Sequence, residues 1–265
     1  MAERPLRILV SNDDGIHAPG LKSLEKIARS ISPDIWIVAP ETEQSGSSHS
    51  LTLTAPLRAR SISRRRWAVQ GTPTDCVMLA MNELVKGRRP DLLLSGVNRG
   101  GNLGEDVTYS GTVAVAIEGT LLGVPSIALS QCYGWDGSAT SQPVVPWPTA
   151  ERFAPGIIRN LIASGWPRDV LINVNFPDCG PDDVAGVRIG VQGRRDVNDL
   201  KIDARTDARN QPYFWLGFRR TPFVPAPGSD LGAVAARYVA VTPLHLDLTH
   251  HATLDHLRAA FPEGG

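Results

Sequence analysis

Hydrophobic and polar positions alternate along the first half of the chain in blocks that predict short strands and amphipathic helices. The apolar runs Leu6–Val10 and Ile35–Ala39 predict strands, and between them apolar residues recur at helical spacing. Further predicted strands are Leu51–Arg58, Trp67–Gln70 (with an Arg run, Arg64–Arg66, at the turn before it), Asp91–Ser95 and Val124–Ser130, and further predicted helices are Pro73–Val85 and Thr112–Leu122. Repeated strand–helix–strand units predict an α/β fold in which helices cover both faces of a mainly parallel sheet.

The pattern becomes less regular after Ser130. Gln131–Pro148 is rich in Gly, Ser and Pro and predicts a long loop. Beyond it the pattern predicts helices at Thr149–Ser164 and Thr249–Ala260, and strands at Val170–Asn175, Val187–Val191 and Val239–Val241. We therefore expect an N-terminal core at residues 1–130 that carries the active site, and a C-terminal part at residues 131–265 that completes it.

The segment Arg194–Gly228 differs from the rest of this C-terminal part. It is polar, then aromatic around Tyr213–Trp215, and then rich in proline. A segment of this composition cannot easily bury its own rings. It is either a loop that packs on its own domain or, as we favour, an oligomerisation arm at about 194–230 that packs on a partner subunit.

Composition limits the classes of function. The 27 Lys and Arg residues balance the 27 Asp and Glu residues, which argues against binding to a nucleic-acid polymer or a membrane surface. No stretch approaches 18 consecutive apolar residues, so we expect no transmembrane helix, and Leu6–Val10 is too short for the core of a signal peptide. The three cysteines lie at wide spacings that fit neither a disulfide framework nor a zinc site, so we expect a reducing, cytoplasmic location.

Polar residues follow the first predicted strand directly, in Ser11–Gly15. Ligands in open α/β sheets bind beyond the carboxyl ends of strands, so this is an expected place for a site. Asp13 and Asp14 repel each other unless a positive group lies beside them, and a divalent cation would meet that need. The alternative is a solvated turn, because Asn, Asp and Gly all favour turns, and the aspartate pair alone favours this alternative.

Two further strand ends carry candidate oxygen ligands. The loop Ser45–Ser50 offers hydroxyl groups and backbone N–H groups, although its composition is also that of an ordinary polar loop. His49 in this loop is either a proton donor or a hydrogen-bonded loop residue. Asn98, in the run Ser95–Asn102, offers a neutral carbonyl oxygen that suits a hard cation.

Ser110, Gly111 and Thr112 precede a predicted helix and form a candidate phosphate-binding turn. The free N–H groups of a helix start, with two hydroxyls, suit a phosphate, whereas the alternative is ordinary N-capping. The phosphate interpretation gains because this turn lies beside the other three loops. No phosphate-binding P-loop, dinucleotide fingerprint, nucleophile elbow or H-E-x-x-H spacing is present, and the C-terminal histidines are best explained as surface residues.

These loops occur together, in one order, with several later runs that belong to the same pattern. The runs are Ile8–Ile16, Val38–Pro40 with Ser45–Ser50, Gly71–Val77, Ser95–Gly100, Tyr109–Val113, Ile172–Pro177, Pro212–Trp215, Val241–Leu244 and Asp247–Thr249. Together they resemble the SurE (survival protein E) family of metal-dependent nucleotidases over nearly the whole chain.

The resemblance implies a phosphomonoesterase that hydrolyses nucleoside 5′- and 3′-monophosphates. It implies one divalent cation per subunit, Mg²⁺ or Mn²⁺, and a Rossmann-like domain whose C-terminal arm is exchanged in a homodimer or homotetramer. The metal ligands that it implies are Asp13, Asp14, Ser45 and Asn98. Asp13 and Asp14 are also the expected catalytic residues, and Asn102 is expected to bind phosphate together with Ser110, Gly111 and Thr112.

The sequence is compatible with several alternatives for the mechanism and the function. One aspartate would hold the metal while the other orients or deprotonates a water, and a covalent aspartyl-phosphate is equally compatible with the sequence. The chain is alternatively a non-catalytic nucleotide-binding regulatory module, or a metal-dependent hydrolase of another bond. The second alternative is disfavoured because such sites usually recruit histidine, and the strand-end loops offer only His17 and His49.

Overall fold

The computed structural model describes residues 4–134, 144–195, 200–218 and 224–261. The strands found in these residues are β1 (Arg7–Ser11), β2 (Asp34–Pro40), β3 (Arg58–Ser63), β4 (Arg66–Gln70), β5 (Leu92–Arg99), β6 (Ser126–Gln131), β7 (Val170–Phe176), β8 (Gly186–Ile189), β9 (Leu200–Thr206), β10 (Pro212–Phe218) and β11 (Tyr238–His245). The α-helices are α1 (Pro19–Arg29), α2 (Pro73–Leu79), α3 (Gly111–Leu121), α4 (Trp147–Ser164), α5 (Asp230–Ala235) and α6 (His251–Ala260). A π-helical turn at Ala80–Leu84 extends α2, and a 3₁₀ turn at Gly104–Thr108 precedes α3.

Nine of the described strands form one sheet in the order β3-β4-β2-β1-β5-β6-β7-β11-β8. The six strands from β4 to β7 in this order are parallel to one another, and β3 and β11 pair antiparallel to β4 and β7. The predicted mainly parallel α/β sheet is therefore confirmed. Parallel strands need crossover connections, which α1, α2, α3 and α4 supply, whereas β2 is connected to β4 through a loop and β3.

The central strand β1 shows why both faces of the sheet are covered. Its side chains alternate, so Ile8 and Val10 pack in one hydrophobic cluster with α1 and α4. Leu9 points to the opposite face and packs with Cys76 of α2 and Val115 of α3. A strand buried on both faces is a continuous apolar run, which is the pattern the sequence has here.

Helix α3 lies unusually close to the sheet because it consists largely of small residues. A Cβ atom on Gly119 would lie 2.4 Å from Ser126 Oγ and 2.7 Å from Leu93 Cδ1. Glycine at this position therefore lets the helix approach β5 and β6. This close packing fixes the C-terminal part of α3 against the sheet, while its first residue, Gly111, lies against Asp13 at the edge where the parallel strands end.

Some predicted element boundaries are wrong. No strand covers residues 51–57, and β3 begins only at Arg58. The preceding loop is held by side chains near the start of α2 instead, since Thr52 N donates to Asp75 Oδ1 and Thr72 Oγ1 donates to Ser50 O. Strand β5 continues four residues beyond the predicted end at Ser95, and helix α5 was not predicted.

The predicted long loop Gln131–Pro148 is shorter at both ends. Gln131 is the last residue of β6 and Trp147 begins α4, while residues 135–143 lie outside the described part of the chain. No helix of the described residues is long and apolar enough to cross a membrane.

The predicted arm contains an antiparallel hairpin of β9 and β10. Tyr213, Phe214, Trp215 and Leu216 on β10 are all exposed. Residues 196–199 and 219–223 of the predicted arm lie outside the described residues. The hairpin thus displays large apolar side chains within the arm region.

Candidate active site

The four segments that the sequence singles out meet at one edge of the sheet. Gln44 N, in the loop after β2, donates to the carbonyl oxygen of Asp13 over 2.8 Å. Arg99 N, at the end of β5, lies 3.3 Å from Asp14 Oδ2, and the Thr112 hydroxyl of α3 donates to Asp13 Oδ1. The two aspartates therefore lie at the junction of all four segments.

Asp13 is buried against the first turn of α3. A Cβ atom on Gly111 would lie 2.7 Å from Asp13 Cβ, so only glycine allows this approach. Burial raises the pKa of the Asp13 carboxyl, and the hydrogen bond from the Thr112 side chain opposes that shift.

Asp14 is less buried but is coupled to its neighbour. Burial, and next the negative charge of Asp13, raise the pKa of Asp14 to about 6, against the lowering effect of the Arg99 N–H. The Arg99 guanidinium lies 5.4 Å from the centre of the Tyr133 ring. No salt bridge to either aspartate occurs among the described residues. Two adjacent carboxylates of raised pKa would be stabilised in their charged form by a cation beside them.

The atoms around the aspartates also suit a hard cation. Ser11 Oγ, Asn12 Oδ1 and Ser95 Oγ are buried without a hydrogen-bond partner among the described residues. Ser11 and Asn12 directly precede the aspartates, and Ser95 pairs with Ser11 between β1 and β5. The described residues contain no group of three or more His, Cys, Asp and Glu that would hold a metal. A cation here would therefore rely on two carboxylates and on neutral oxygens, a donor set that suits Mg²⁺ or Mn²⁺.

The two predicted neutral ligands occupy different environments. Ser45 is exposed and its hydroxyl donates to Glu43 Oε1, but it directly follows Gln44, whose N–H is bound to Asp13. Asn98 lies where the pairing of β5 with β6 shifts register, and its side-chain nitrogen donates to Gly100 O over 2.9 Å. This hydrogen bond leaves Asn98 Oδ1 as the acceptor available to a ligand.

The start of α3 combines capping with a candidate phosphate site. Ser110 Oγ accepts a hydrogen bond from Val113 N over 3.0 Å, so Ser110 is an N-cap, and its hydroxyl proton remains available as a donor. The Thr112 hydroxyl is engaged by Asp13 instead. The turn therefore offers backbone N–H groups and one hydroxyl rather than two free hydroxyls.

Asn102 lies at the same edge but is almost entirely buried. Its side-chain nitrogen donates to Ser130 Oγ over 2.9 Å, and its backbone is held by Asn175, whose side chain accepts from Asn102 N and donates to Asn102 O. Asn173 also donates to Asn102 O. Most of the polar groups of Asn102 are thus already engaged within the protein.

The structure places His49 away from the aspartates. Its Nε2 lies 3.0 Å from Glu118 Oε2, two turns into α3, and the adjacent Ser48 hydroxyl donates to Thr108 O. These contacts fasten the Ser45–Ser50 loop to α3 and to the 3₁₀ turn. His49 is therefore an anchor of the loop in this structure.

Three buried polar residues near the site were not identified from the sequence as site residues. Asn173, Asn175 and Asp230 are fully buried and hydrogen-bonded to the segment between β5 and α3. A signal existed for the first two, because two asparagines interrupt the apolar run of β7. Nothing in the sequence around Asp230 indicates its contact with Gly104.

The chain is similar to known proteins over nearly its whole length. The family model described as Survival protein SurE matches residues 8–199. A protein of Parvibaculum lavamentivorans named 5′-nucleotidase SurE is 56% identical over 97% of this chain and 91% of its own length. One of Caulobacter vibrioides with the same name is 56% identical over 96% of this chain and 95% of its own. The crystal structure of the SurE protein from Aquifex aeolicus is similar with a TM-score of 0.80 and 36% identity, covering 96% of this chain and 99% of that one.

Proposed function

We propose that this chain, which belongs to the SurE family and is a nucleotidase that acts on nucleoside monophosphates, uses one divalent cation per subunit to hydrolyse them. The observation that carries this proposal is the pair of adjacent carboxylates, Asp13 and Asp14, both with raised pKa and without a salt bridge among the described residues. Ser45 and Asn98 complete the proposed ligand set with neutral oxygens. The ion is Mg²⁺ or Mn²⁺, since both suit oxygen ligands.

When bound, such a cation neutralises phosphate oxygens and lowers the pKa of a coordinated water. The chain's own residues do the positioning. Asp13 is held in one orientation by the Thr112 hydroxyl. Asp14 Oδ2 faces the Arg99 N–H, while Oδ1 has no hydrogen bond to a described residue. Asp14 Oδ1 is therefore our candidate to orient the attacking water and accept its proton.

The phosphate group is proposed to bind at the start of α3. The first turn of α3 lies against Asp13 at Gly111, Ser110 is its N-cap, and the helix dipole favours an anion there. The Thr112 N–H is bound to the Asp13 carboxylate, so the Gly111 N–H and the Ser110 hydroxyl are the proposed donors to the phosphate. Asn102 contributes the N–H of its side-chain amide that is not donated to Ser130 Oγ. Phosphoryl transfer depends mainly on such positioning and charge stabilisation.

We extend the proposal to nucleoside 3′-monophosphates as substrates. The residues assigned above contact the phosphate and the cation, and these features are common to 5′- and 3′-phosphomonoesters. Location in the cytoplasm and assembly into a homodimer or homotetramer through the arm complete the proposal. The balanced charge of the chain supports the absence of nucleic-acid polymers and membranes from its partners.

The test is phosphate release from a panel of nucleoside 5′- and 3′-monophosphates, first with EDTA and then with added Mg²⁺ or Mn²⁺. We expect release only with metal, and loss of more than 100-fold in turnover for Asp13→Asn and for Asp14→Asn. Release that EDTA leaves unchanged would contradict the metal proposal, and wild-type turnover in either variant would contradict the residue assignment.

A further inference from the structure

The segment between Asn98 and Ser110 connects the proposed metal ligand with the proposed phosphate-binding turn. We call residues 99–109 the linking segment. Any displacement of this segment moves the start of α3 relative to Asp13 and Asp14. The contacts that hold it are therefore candidates for control of the reaction.

Asp230, at the first turn of α5, makes one of the fully buried contacts. Its side chain is fully buried, and its Oδ2 accepts a hydrogen bond from Gly104 N of the linking segment over 2.9 Å. Its Oδ1 accepts from Gly193 N over 2.8 Å and from Leu231 N over 2.7 Å. The described residues include no ion pair to this carboxylate, so three backbone N–H groups stabilise it.

The junction around Asp230 is packed backbone against backbone. Gly104 has a φ of +57°, and a Cβ there would lie 3.2 Å from Gly193 O. A Cβ on Gly193 would lie 2.7 Å from Asp230 Oδ1. Gln192 Nε2 also donates to Gly104 O over 3.1 Å. With so little free space, the carboxylate fixes Gly104 in one position.

The same carboxylate closes the base of the arm. Residues 191–193 lead toward the hairpin and residues 228–230 follow it. Val191 N donates to Gly228 O over 3.1 Å, and Asp230 N donates to Val191 O over 2.9 Å. One oxygen of Asp230 thus binds the base of the arm while the other binds the linking segment.

We propose that Asp230 is a positioning residue for the hydrolysis, which holds the linking segment against the base of the arm and thereby sets the phosphate-binding turn relative to Asp13 and Asp14. This inference rests on the proposed function, because the turn Ser110–Thr112 is the proposed phosphate site. Asp230 contacts neither the substrate nor the cation in this proposal. Arg99, whose N–H contacts Asp14, is held in the sheet by its pairing with Gln131 of β6, so we expect a shift of Gly104 to affect phosphate binding rather than metal binding.

The test is Asp230→Asn, which keeps the shape of the side chain but places an NH₂ group against backbone N–H donors. A buried N–H that loses its acceptor is costly, so we expect Gly104 to shift. The expected result is an increase of about 10-fold in KM for a nucleoside monophosphate and in the inhibition constant of inorganic phosphate. The half-activating concentration of Mn²⁺ should stay within about twofold of the wild-type value, since the aspartates do not contact Asp230.

Asp91→Asn is the matched control. Asp91 is also a carboxylate that accepts a backbone N–H, from Arg7 over 2.6 Å, but it lies at the opposite edge of the sheet, where β1 and β5 begin. We expect this variant to lose thermal stability and to keep the wild-type KM and phosphate inhibition. A purely structural role for Asp230 would give the same result as this control.

Gln192→Ala keeps the inference testable if Asp230→Asn does not fold. It removes only the side-chain hydrogen bond to Gly104 O, and we expect the phosphate inhibition constant to rise by about threefold. Unchanged KM and phosphate inhibition in a folded Asp230→Asn, or an unchanged inhibition constant in Gln192→Ala when the first variant is unfolded, would overturn the inference. An equal loss of Mn²⁺ and phosphate affinity would also overturn it. Wild-type protein is assayed alongside with and without Mn²⁺, so a wild type that needs no metal contradicts the proposed function separately.

Discussion

Folding buries Asp13 and Asp14 next to each other, and this burial lowers the stability of the metal-free protein. The pKa of Asp14 is raised from 3.8 to about 6, so the folded state binds protons more tightly than the unfolded state does. In EDTA, stability should fall as the pH rises from about 4 to about 6, and stay low above that. Asp14→Asn removes this effect and should stabilise the metal-free protein at pH 7 by up to about 3 kcal/mol in chemical denaturation.

Two comparisons make this prediction specific to the site. Asp91→Asn should destabilise the protein, because the Arg7 N–H and the Arg88 side chain lower the pKa of Asp91 against the effect of its partial burial. Mn²⁺ should stabilise the wild type by about 2.7 kcal/mol at 100 times its dissociation constant and leave Asp14→Asn unchanged. An Asp14→Asn variant less stable than wild type in EDTA at pH 7 would contradict the raised pKa.

Gly111 tests how closely α3 must approach Asp13. Alanine normally stabilises a helix relative to glycine by about 1 kcal/mol. At position 111, however, the added Cβ would lie 2.7 Å from Asp13 Cβ and 2.9 Å from Asp13 Oδ2. We expect Gly111→Ala to lower metal-dependent phosphate release by more than 100-fold, because a displacement of about 1 Å is enough to cause such a loss.

The matched control for Gly111→Ala is Gly156→Ala in α4. A Cβ on Gly156 meets nothing within 4 Å, so this variant should gain about 0.5–1 kcal/mol of stability and keep its turnover. Comparable loss of turnover in both variants would show that the contact with Asp13 is not the cause.

At the scale of elements, the sequence predicts well whatever depends on local periodicity. The strands β1 and β2 and the helix α1 lie close to their predicted positions because buried strands and amphipathic helices have distinct periods. Residues 51–57 were predicted as a strand on apolar alternation alone, yet side chains from the start of α2 hold them as a loop. Competition of this kind between distant segments has no local signal.

The residues of the candidate site show the same difference between local pattern and contacts of distant segments. Asp13, Asp14 and the turn at Ser110–Thr112 were candidates because each follows or begins an element that local pattern places at one edge of the sheet, and the resemblance to the SurE family implied the role of the aspartates as metal ligands. Asn175 and Asp230 could not be assigned a role, since they contact the linking segment from 73 and 126 residues away in the chain. Their contribution depends on long-range packing rather than on residue type.

Asn175 is the clearest test of this long-range packing. Its Oδ1 accepts from Asn102 N over 2.8 Å and its Nδ2 donates to Asn102 O over 3.0 Å, so one amide pairs with both backbone groups of a residue in the linking segment. Asn175→Asp replaces the donor with an oxygen that faces Asn102 O, in a fully buried position. We expect a loss of about 3–5 kcal/mol at pH 7 and a lower turnover, measured by denaturation and phosphate release.

The pH dependence separates lost pairing from lost shape in this variant. A protonated carboxyl can donate to Asn102 O, so the destabilisation of Asn175→Asp should diminish as the pH falls toward 5. Asn82→Asp makes the same exchange at an exposed position whose nitrogen donates to Met78 O, and it should change stability by less than about 0.5 kcal/mol. A destabilisation of Asn175→Asp that does not vary with pH would contradict the proposed pairing.

At the scale of the whole molecule, the fold of one chain does not explain why the arm exposes large apolar side chains. Isolated two-stranded hairpins are marginally stable in water, and this one exposes Phe214 and Trp215 on opposite faces of β10, each by more than half. Consecutive strand residues point to opposite sides, so one contact within the same chain would cover only one of these rings. The face that carries Trp215 also carries Asp203 and Arg205 of β9, whereas the face that carries Phe214 is apolar. This apolar face, formed with Leu216, Ile202 and Ala204, fits a contact with a partner subunit.

Replacement of Phe214 and Trp215 by serine tests this arrangement. We expect the wild type to sediment as a dimer or tetramer and the double variant to dissociate at micromolar concentration, because the Phe214 ring would be removed from the subunit contact. Phe261→Ser is the control, since Phe261 is also exposed by more than half but lies after α6, outside the arm. If Asp230 couples the arm to the linking segment, dissociation should also raise KM while leaving the half-activating concentration of Mn²⁺ unchanged. A monomeric wild type would contradict the subunit contact. Dissociation without a change in KM would show that the arm acts in assembly and has no effect on substrate binding.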